Sequence, residues 1–134
     1  MPRAGDSYIV TLGESHLAWG TYRHTATRTP RRGEAYLPIH IADARRFNIY
    51  NSNYTGGMDI LGQNLFRCTS YDGFLDADMK AQGAVREGEI YAKQFSVNND
   101  LTAIGAWYRH VGAQPGDQVE VCWTSPVDMT IRLI

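Results

Sequence analysis

The chain has 134 residues, of which 43% are apolar and 20% are charged, so it can bury the core of one folded domain. Thirteen Lys and Arg against fourteen Asp and Glu give a net charge of −1, which excludes a uniformly basic nucleic-acid-binding tail. The sequence holds no apolar run near the roughly 20 residues that span a bilayer, and its two cysteines are too few for a disulfide scaffold. We therefore predict a single soluble, cytoplasmic domain over residues 1–134, with no membrane partner.

Strands dominate the elements predicted for the first half of the chain. Residues 8–12 and 35–40 are rich in β-branched and aromatic side chains, which favour strands. Residues 41–48 carry apolar side chains at helical spacing. Residues 65–70 and a segment that begins at Phe74 flank an Asp-Gly pair, so together they predict a hairpin.

Strict alternation of apolar and polar residues makes residues 75–82 the most regular segment of the chain. Successive side chains of a strand point to opposite faces of the sheet, so this pattern predicts a strand with one buried and one exposed face. The exposed face is expected to carry Asp76, Asp78, Lys80 and Gln82.

The second half of the chain continues with strands and a single helix. Residues 90–95 predict a strand. A helix is expected next, with Asn98, Asn99 or Asp100 as its N-cap and Gly112 at its end. Residues 118–123 and 129–134 predict the last two strands. Singly inserted helices among about seven strands are typical of a mostly β barrel rather than of parallel βαβ units.

The even total charge conceals a strongly basic loop between the first two predicted strands. Residues 15–33 contain four arginines and no acid, which leaves nine basic and fourteen acidic residues, a charge of −5, in the rest of the chain. Arginine, hydroxyl and aromatic groups are those that contact phosphates and base edges. The loop therefore predicts a local anion-binding site, with a solvated threonine-rich loop as the plainer alternative.

The order of these elements resembles the B3-like DNA-binding pseudobarrel. The form it resembles is the recognition or effector domain of prokaryotic restriction endonucleases, N-terminal in the EcoRII type and C-terminal in the BfiI type. The segments that carry the resemblance are AYLPIHIADARRFNI (35–49), EIYAKQF (89–95), DLTAIGAWYRHVG (100–112) and QPGDQVEVCW (114–123).

The resemblance implies a seven-stranded open pseudobarrel that binds double-stranded DNA sequence-specifically with two arms in the major groove. The first arm then maps to residues 15–32, and the second maps to residues 80–86, flanked by Asp76 and Asp78. The predicted DNA-binding residues are Ser15, His16, Trp19, Tyr22, Arg23, Arg28, Arg31, Arg32, Asp76, Asp78, Lys80, Gln82, Arg86 and Asn98.

The chemistry of these side chains divides them into base readers and phosphate contacts. The expected base readers are Arg23, Arg28 and Arg86 for guanine, Gln82 for adenine, and Asp76 or Asp78 for cytosine. The expected phosphate contacts are Lys80, Arg31 and Arg32. Asn98 lies in the loop before the second helix, where it can cap the helix or contact a phosphate.

No catalytic residue, metal or cofactor is predicted for this chain, so cleavage would belong to a catalytic nuclease domain or subunit as partner. One alternative is a metal-dependent nuclease site, since Asp59, Asp78 and Lys80 match the loose pattern of acids and a lysine around Mg²⁺. A second alternative is a barrel that binds single-stranded nucleic acid, with Trp19, Tyr22 and Tyr91 as stacking platforms.

Overall fold

The structure, a computed structural model, describes residues 1–18, 33–83 and 90–134. The described residues form seven strands and three helices. The strands are β1 (Ser7–Thr11), β2 (Leu37–Pro38), β3 (Leu65–Ser70), β4 (Asp76–Gln82), β5 (Gln94–Val97), β6 (Gln118–Trp123) and β7 (Asp128–Leu133). The helices are α1 (Glu14–Leu17), α2 (Ile41–Phe47) and α3 (Ala103–Val111). None of the helices in this part of the chain is long and apolar enough to cross a membrane.

The seven strands form one sheet in the order β1-β6-β7-β3-β4-β5-β2, which curls into a nearly closed barrel. All neighbouring strands are antiparallel except β3 and β7. The seam between the edge strands β1 and β2 is not sealed by a ladder of backbone hydrogen bonds. The Tyr8 hydroxyl crosses it and donates to the Pro38 carbonyl oxygen at 3.2 Å. The predicted fold class, a mostly β open pseudobarrel, is confirmed.

Trp123 lies at the centre of the barrel core. It is fully buried, and its ring centroid lies 6.1 Å from Tyr8, 5.6 Å from Phe47, 5.7 Å from Phe66 and 6.5 Å from Phe95. These partners come from β1, α2, β3 and β5, so one side chain of β6 joins four separate elements. Apolar burial from several directions is the main stabilising contribution to such a core.

The two longer helices pack against the barrel through apolar side chains. Helix α2 buries Ala44 and Phe47, while the Arg46 guanidinium on its exposed side donates to the Ser7 carbonyl of β1 at 3.3 Å. Helix α3 buries Trp107 among others, and the Trp107 indole N–H donates to the carboxylate of Asp72, in the β3–β4 turn, at 2.9 Å. The Asp72–Trp107 bond ties the predicted hairpin to a helix 35 residues later.

Helix α3 ends as predicted and begins differently. Gly112 adopts the left-handed conformation that ends a helix, with φ of 69°. The expectation that one of Asn98, Asn99 or Asp100 occupies the N-cap is wrong, because Thr102 is the N-cap. Asp100 instead accepts from the Thr102 N–H and hydroxyl at 3.1 and 2.9 Å, so its carboxylate closes the turn before the helix.

Two predicted strands are shorter than expected because their flanking residues bond outside the sheet. Strand β2 has two residues, since the Tyr36 N–H donates to the His16 carbonyl in α1 rather than to a neighbouring strand. Strand β5 begins at Gln94, because Tyr91 forms an isolated bridge with Tyr50 before the chain enters the sheet. The short helix α1 was not predicted.

Candidate nucleic-acid interface

Half of the predicted DNA-binding residues can be placed in the structure. Those that lie outside the described residues are Trp19, Tyr22, Arg23, Arg28, Arg31, Arg32 and Arg86. Those that the structure describes are Ser15, His16, Asp76, Asp78, Lys80, Gln82 and Asn98. The described residues include the base of each predicted arm and the surface between the two bases.

An open cleft on the outer surface of β4 and β5 brings three of the predicted residues together. Its volume is about 310 Å³, and Lys80, Gln82 and Asn98 line it together with Ser96 and Leu101. Antiparallel pairing causes this convergence, because it sets Lys80 opposite Ser96 on the neighbouring strand. The backbone N–H of Asn98 also donates to the carbonyl of Asp78 at 2.8 Å, which holds the loop after β5 against β4.

The cleft lies between the bases of the two predicted arms. Where the first arm rejoins the barrel, the Ala35 N–H donates to the carbonyl of Leu101, a residue of the cleft, at 3.4 Å. Where the second arm leaves it, Gln82 also lines the cleft, and its carbonyl accepts from the Lys93 N–H at 3.0 Å. The strand pairings make β1 and β4 run in opposite directions. The first arm follows β1 and the second follows β4, so the two arms start from opposite ends of the sheet.

Buried hydrogen bonds hold the base of the first arm. The Tyr36 N–H donates to the His16 carbonyl at 3.0 Å, which joins the two sides of the loop. The Tyr108 hydroxyl donates to the Tyr36 carbonyl at 2.7 Å, and the Tyr36 hydroxyl donates to the buried carboxylate of Glu34 at 3.0 Å. Burial raises the pKa of Tyr108, so its hydroxyl remains a donor at all ordinary pH values. These bonds connect the two sides of the arm, at His16 and Tyr36, to each other and to Tyr108 of α3.

His16 has a structural contact at this base. Its Nδ1 accepts from the backbone N–H of Gly13 at 2.9 Å, which requires a ring without a proton on Nδ1. Partial burial lowers the pKa of His16 below its ordinary value. Ser15 is half-buried on the same helix. The predicted contacts of His16 and Ser15 with DNA stay predictions.

The depressed pKa of His16 makes the stability of the domain depend on pH. The folded state disfavours protonation of this ring, so the stabilisation is complete above the ordinary histidine pKa and decreases as the pH falls below it. We expect His16→Asn, whose Oδ1 can accept the same N–H, to fold normally and to lose less stability than the wild type between about pH 7.5 and pH 5.5. Urea unfolding at both pH values measures this, and an identical loss in the two proteins would contradict it.

The Gln82 amide is oriented by a buried serine. Its Nε2 donates to the hydroxyl of Ser96 at 2.7 Å, and Ser96 is only 2% exposed. A glutamine amide has two N–H groups and one carbonyl oxygen. Among the described residues the bond to Ser96 is the only hydrogen bond of this amide, so one N–H and the oxygen remain for a ligand. That donor and acceptor pair is the one that matches the major-groove edge of adenine.

Lys80 forms an ion pair rather than standing alone in the cleft. Its Nζ lies 3.1 Å from Oδ1 of Asp59, and both side chains are partly buried. Asp59 and Lys80, two of the three residues of the alternative metal-dependent nuclease site, are therefore in contact. Asp78 is exposed, two residues before Lys80 on the same strand. Within residues 1–18, 33–83 and 90–134, no group of three or more His, Cys, Asp or Glu side chains could hold a metal ion.

Asp76 and Asp78 lie on the exposed face of β4, as the alternation predicted, but outside the cleft. The register places Asp78 opposite Arg67 of β3. The Arg67 guanidinium itself donates to Asp128 of β7 at 2.9 Å. The Asp76 and Asp78 side chains thus lie outside the cleft, although the backbone carbonyl of Asp78 accepts from the N–H of Asn98 at 2.8 Å.

The sequence analysis missed Ser96 and the stacking partners of Tyr91. Ser96 carries no local signal, since its role depends on pairing with β4. Tyr91 stacks on Tyr50 with ring centroids 5.9 Å apart, and Tyr50 contacts the ring of Tyr54 at 4.9 Å. Tyr54 is 55% exposed, so the aromatic stack ends at the surface. Tyr50 and Tyr54 are close in sequence, whereas Tyr91 is about 40 residues later. The isolated bridge between Tyr50 and Tyr91 brings Tyr91 to the other two rings.

No family model matches the chain, and no curated protein matches it significantly.

Proposed function

We propose that this domain binds double-stranded DNA sequence-specifically, as the target-recognition domain of a prokaryotic restriction endonuclease. The observation that carries the proposal is the cleft in which Lys80, Gln82 and Asn98 lie between the bases of the two predicted arms. An ammonium group and two amides can together contact a phosphate and read a base edge. The four arginines of residues 15–33 supply further positive charge to the first predicted arm.

In the proposed mechanism the two arms enter the major groove from opposite ends of the cleft. Phosphate contacts from Lys80, Arg31 and Arg32 set the register of the domain on the duplex. Base contacts from Gln82 and from arginines of the arms then discriminate among sequences. The DNA is cleaved by a separate catalytic nuclease domain or subunit, and the recognition step needs no cofactor.

Selection from a random pool of double-stranded DNA tests the proposal directly. The selection is run with EDTA present, which prevents metal-dependent cleavage, and at two salt concentrations. Enrichment of one short motif, with affinity that falls as salt rises, supports a sequence reader. Salt-sensitive binding without a motif contradicts sequence-specific recognition, and no binding at either salt contradicts the DNA function as a whole.

Gln82→Ala tests the base-reading role of the cleft. We expect it to lower discrimination at one base pair of the selected motif by about 1–3 kcal/mol while leaving the other positions unchanged. Gln118→Ala is the matched control, because Gln118 is an exposed glutamine on β6, three strands away from β4 in the sheet order. Competition titrations against single-base variants of the motif measure the effect. Equal losses on every sequence would assign Gln82 to the phosphate backbone instead.

Binding of single-stranded nucleic acid is the second candidate, and the tyrosine stack favours it. Tyr54 presents an exposed ring at the end of the stack formed with Tyr50 and Tyr91, and exposed rings bind unpaired bases by stacking. A single-stranded competitor that displaces the duplex, and that loses this ability in Tyr54→Ala, would establish this function in place of duplex recognition.

A further inference from the structure

Lys80 occupies a special position among the groups of the cleft. Among the described residues that line it, Lys80 is the only charged side chain. Its ammonium group is already paired with the carboxylate of Asp59 at 3.1 Å. A DNA phosphate that approaches this cation therefore meets a negative charge at the same place.

The loop that carries Asp59 is fixed relative to Lys80. The side chain of Asn64, which is fully buried, accepts from the Ile60 N–H at 2.7 Å and donates to the Met58 carbonyl at 3.1 Å. The Asn64 carbonyl in turn accepts from the N–H of Ala81, the residue after Lys80, at 2.7 Å. These bonds connect both sides of Asp59 to β4, so they hold the backbone of Asp59 close to Lys80.

We infer that Asp59 competes with DNA phosphate for Lys80 and so lowers the affinity of the domain for duplex DNA. This inference rests on the proposed DNA-binding function. A phosphate must either displace the carboxylate or bind beside a neutralised cation, and in both cases Lys80 contributes less than a free lysine to binding. Phosphate contacts are made to every duplex, so Asp59 lowers the affinity for specific and unrelated sequences by about the same factor. The base contacts that distinguish the correct DNA sequence are unaffected by Asp59.

Asp59→Asn tests the inference, because the amide keeps the shape of the side chain and removes its charge. We expect affinity for a duplex of unrelated sequence to rise about threefold to tenfold at low salt. The dependence of log affinity on log salt is expected to steepen by about one phosphate contact. The ratio of specific to unrelated-sequence affinity is expected to stay the same, since both complexes use the phosphate contact of Lys80. Fluorescence anisotropy titrations over a range of salt concentrations measure all three quantities.

Two further variants isolate the effect. Glu120→Gln removes one carboxylate from the Glu120–Arg132 ion pair, which has a 2.8 Å contact and joins β6 to β7 away from the cleft. It changes the net charge by the same amount as Asp59→Asn, and we expect less than about a twofold change in affinity. In a Lys80→Met background, Asp59→Asn should have no effect, since the cation for which the carboxylate competes is absent. Thermal unfolding confirms that each variant is folded.

The outcomes separate the inference from the proposed function. A wild-type domain that binds no duplex contradicts the proposed function and the inference together. A wild-type domain that binds duplex DNA, with Asp59→Asn no stronger than Glu120→Gln, contradicts the inference alone. An equal gain from Asp59→Asn in the presence and absence of Lys80 also overturns it, because the carboxylate would then act on the DNA directly.

Discussion

Trp123→Ala is expected to destabilise the domain by about 3–5 kcal/mol, which is a large part of the total stability of a domain of this size. The residue is fully buried and contacts rings from β1, α2, β3 and β5, so its removal leaves a cavity that no single element can close. Urea unfolding followed by far-ultraviolet circular dichroism measures the loss. A change below about 1 kcal/mol would mean that the barrel is not organised around this side chain.

Trp123→Phe is the control for this prediction. The indole N–H of Trp123 is buried and has no hydrogen-bond partner among the described residues. Phenylalanine removes that unsatisfied donor while keeping most of the aromatic volume, so the two contributions partly offset each other. We expect a much smaller loss than for alanine. Equal losses for the two variants would show that the size of the side chain is not what stabilises the core.

Gly105→Ala is expected to destabilise the domain by about 1–3 kcal/mol, although alanine forms helices better than glycine by roughly 1 kcal/mol. A Cβ on Gly105 would overlap the carbonyl oxygen of Gly33, where the first arm rejoins the barrel. Gly33 itself has a φ of 85°, a conformation that other residues rarely adopt. The sign of the change is therefore the opposite of the one that helix propensity predicts. Thermal and urea unfolding measure it.

The same substitution should affect DNA binding, because it displaces the base of the first arm. We expect Gly105→Ala to weaken binding to all duplex sequences, since Gly33 lies next to the arginines at positions 31 and 32 in the sequence. Ala106→Gly in the same turn of α3 serves as the control, since it lowers helix propensity without approaching Gly33. A Gly105→Ala protein that is more stable than the wild type would disprove the close contact between helix and arm.

Local patterns in the sequence predicted most of the regular structure. Alternation along residues 75–82 predicted both the strand and its exposed face, because the side-chain period of a strand depends only on backbone geometry. Strands β3 and β6 have the bounds expected from their sequences, and Gly112 ends its helix. The largest errors occur at β2 and β5, where hydrogen bonds from Tyr36 to α1 and from Ala92 to Ile49 replace sheet pairing. Such hydrogen bonds join residues that are distant in sequence, so a short stretch of sequence cannot predict them.

By itself, then, the sequence determined the strand order along the chain, the barrel class and the concentration of positive charge in residues 15–33, since these depend on composition and short-range periodicity. The tertiary structure alone decided which polar groups share a cleft. Pairing of β4 with β5 joined Gln82 to Ser96, and hydrogen bonds of a buried asparagine placed Asp59 beside Lys80, while the side chains of Asp76 and Asp78 lie outside the cleft. The reason is physical: the register between strands and the path of a loop are set by packing of the whole core, which no segment encodes alone.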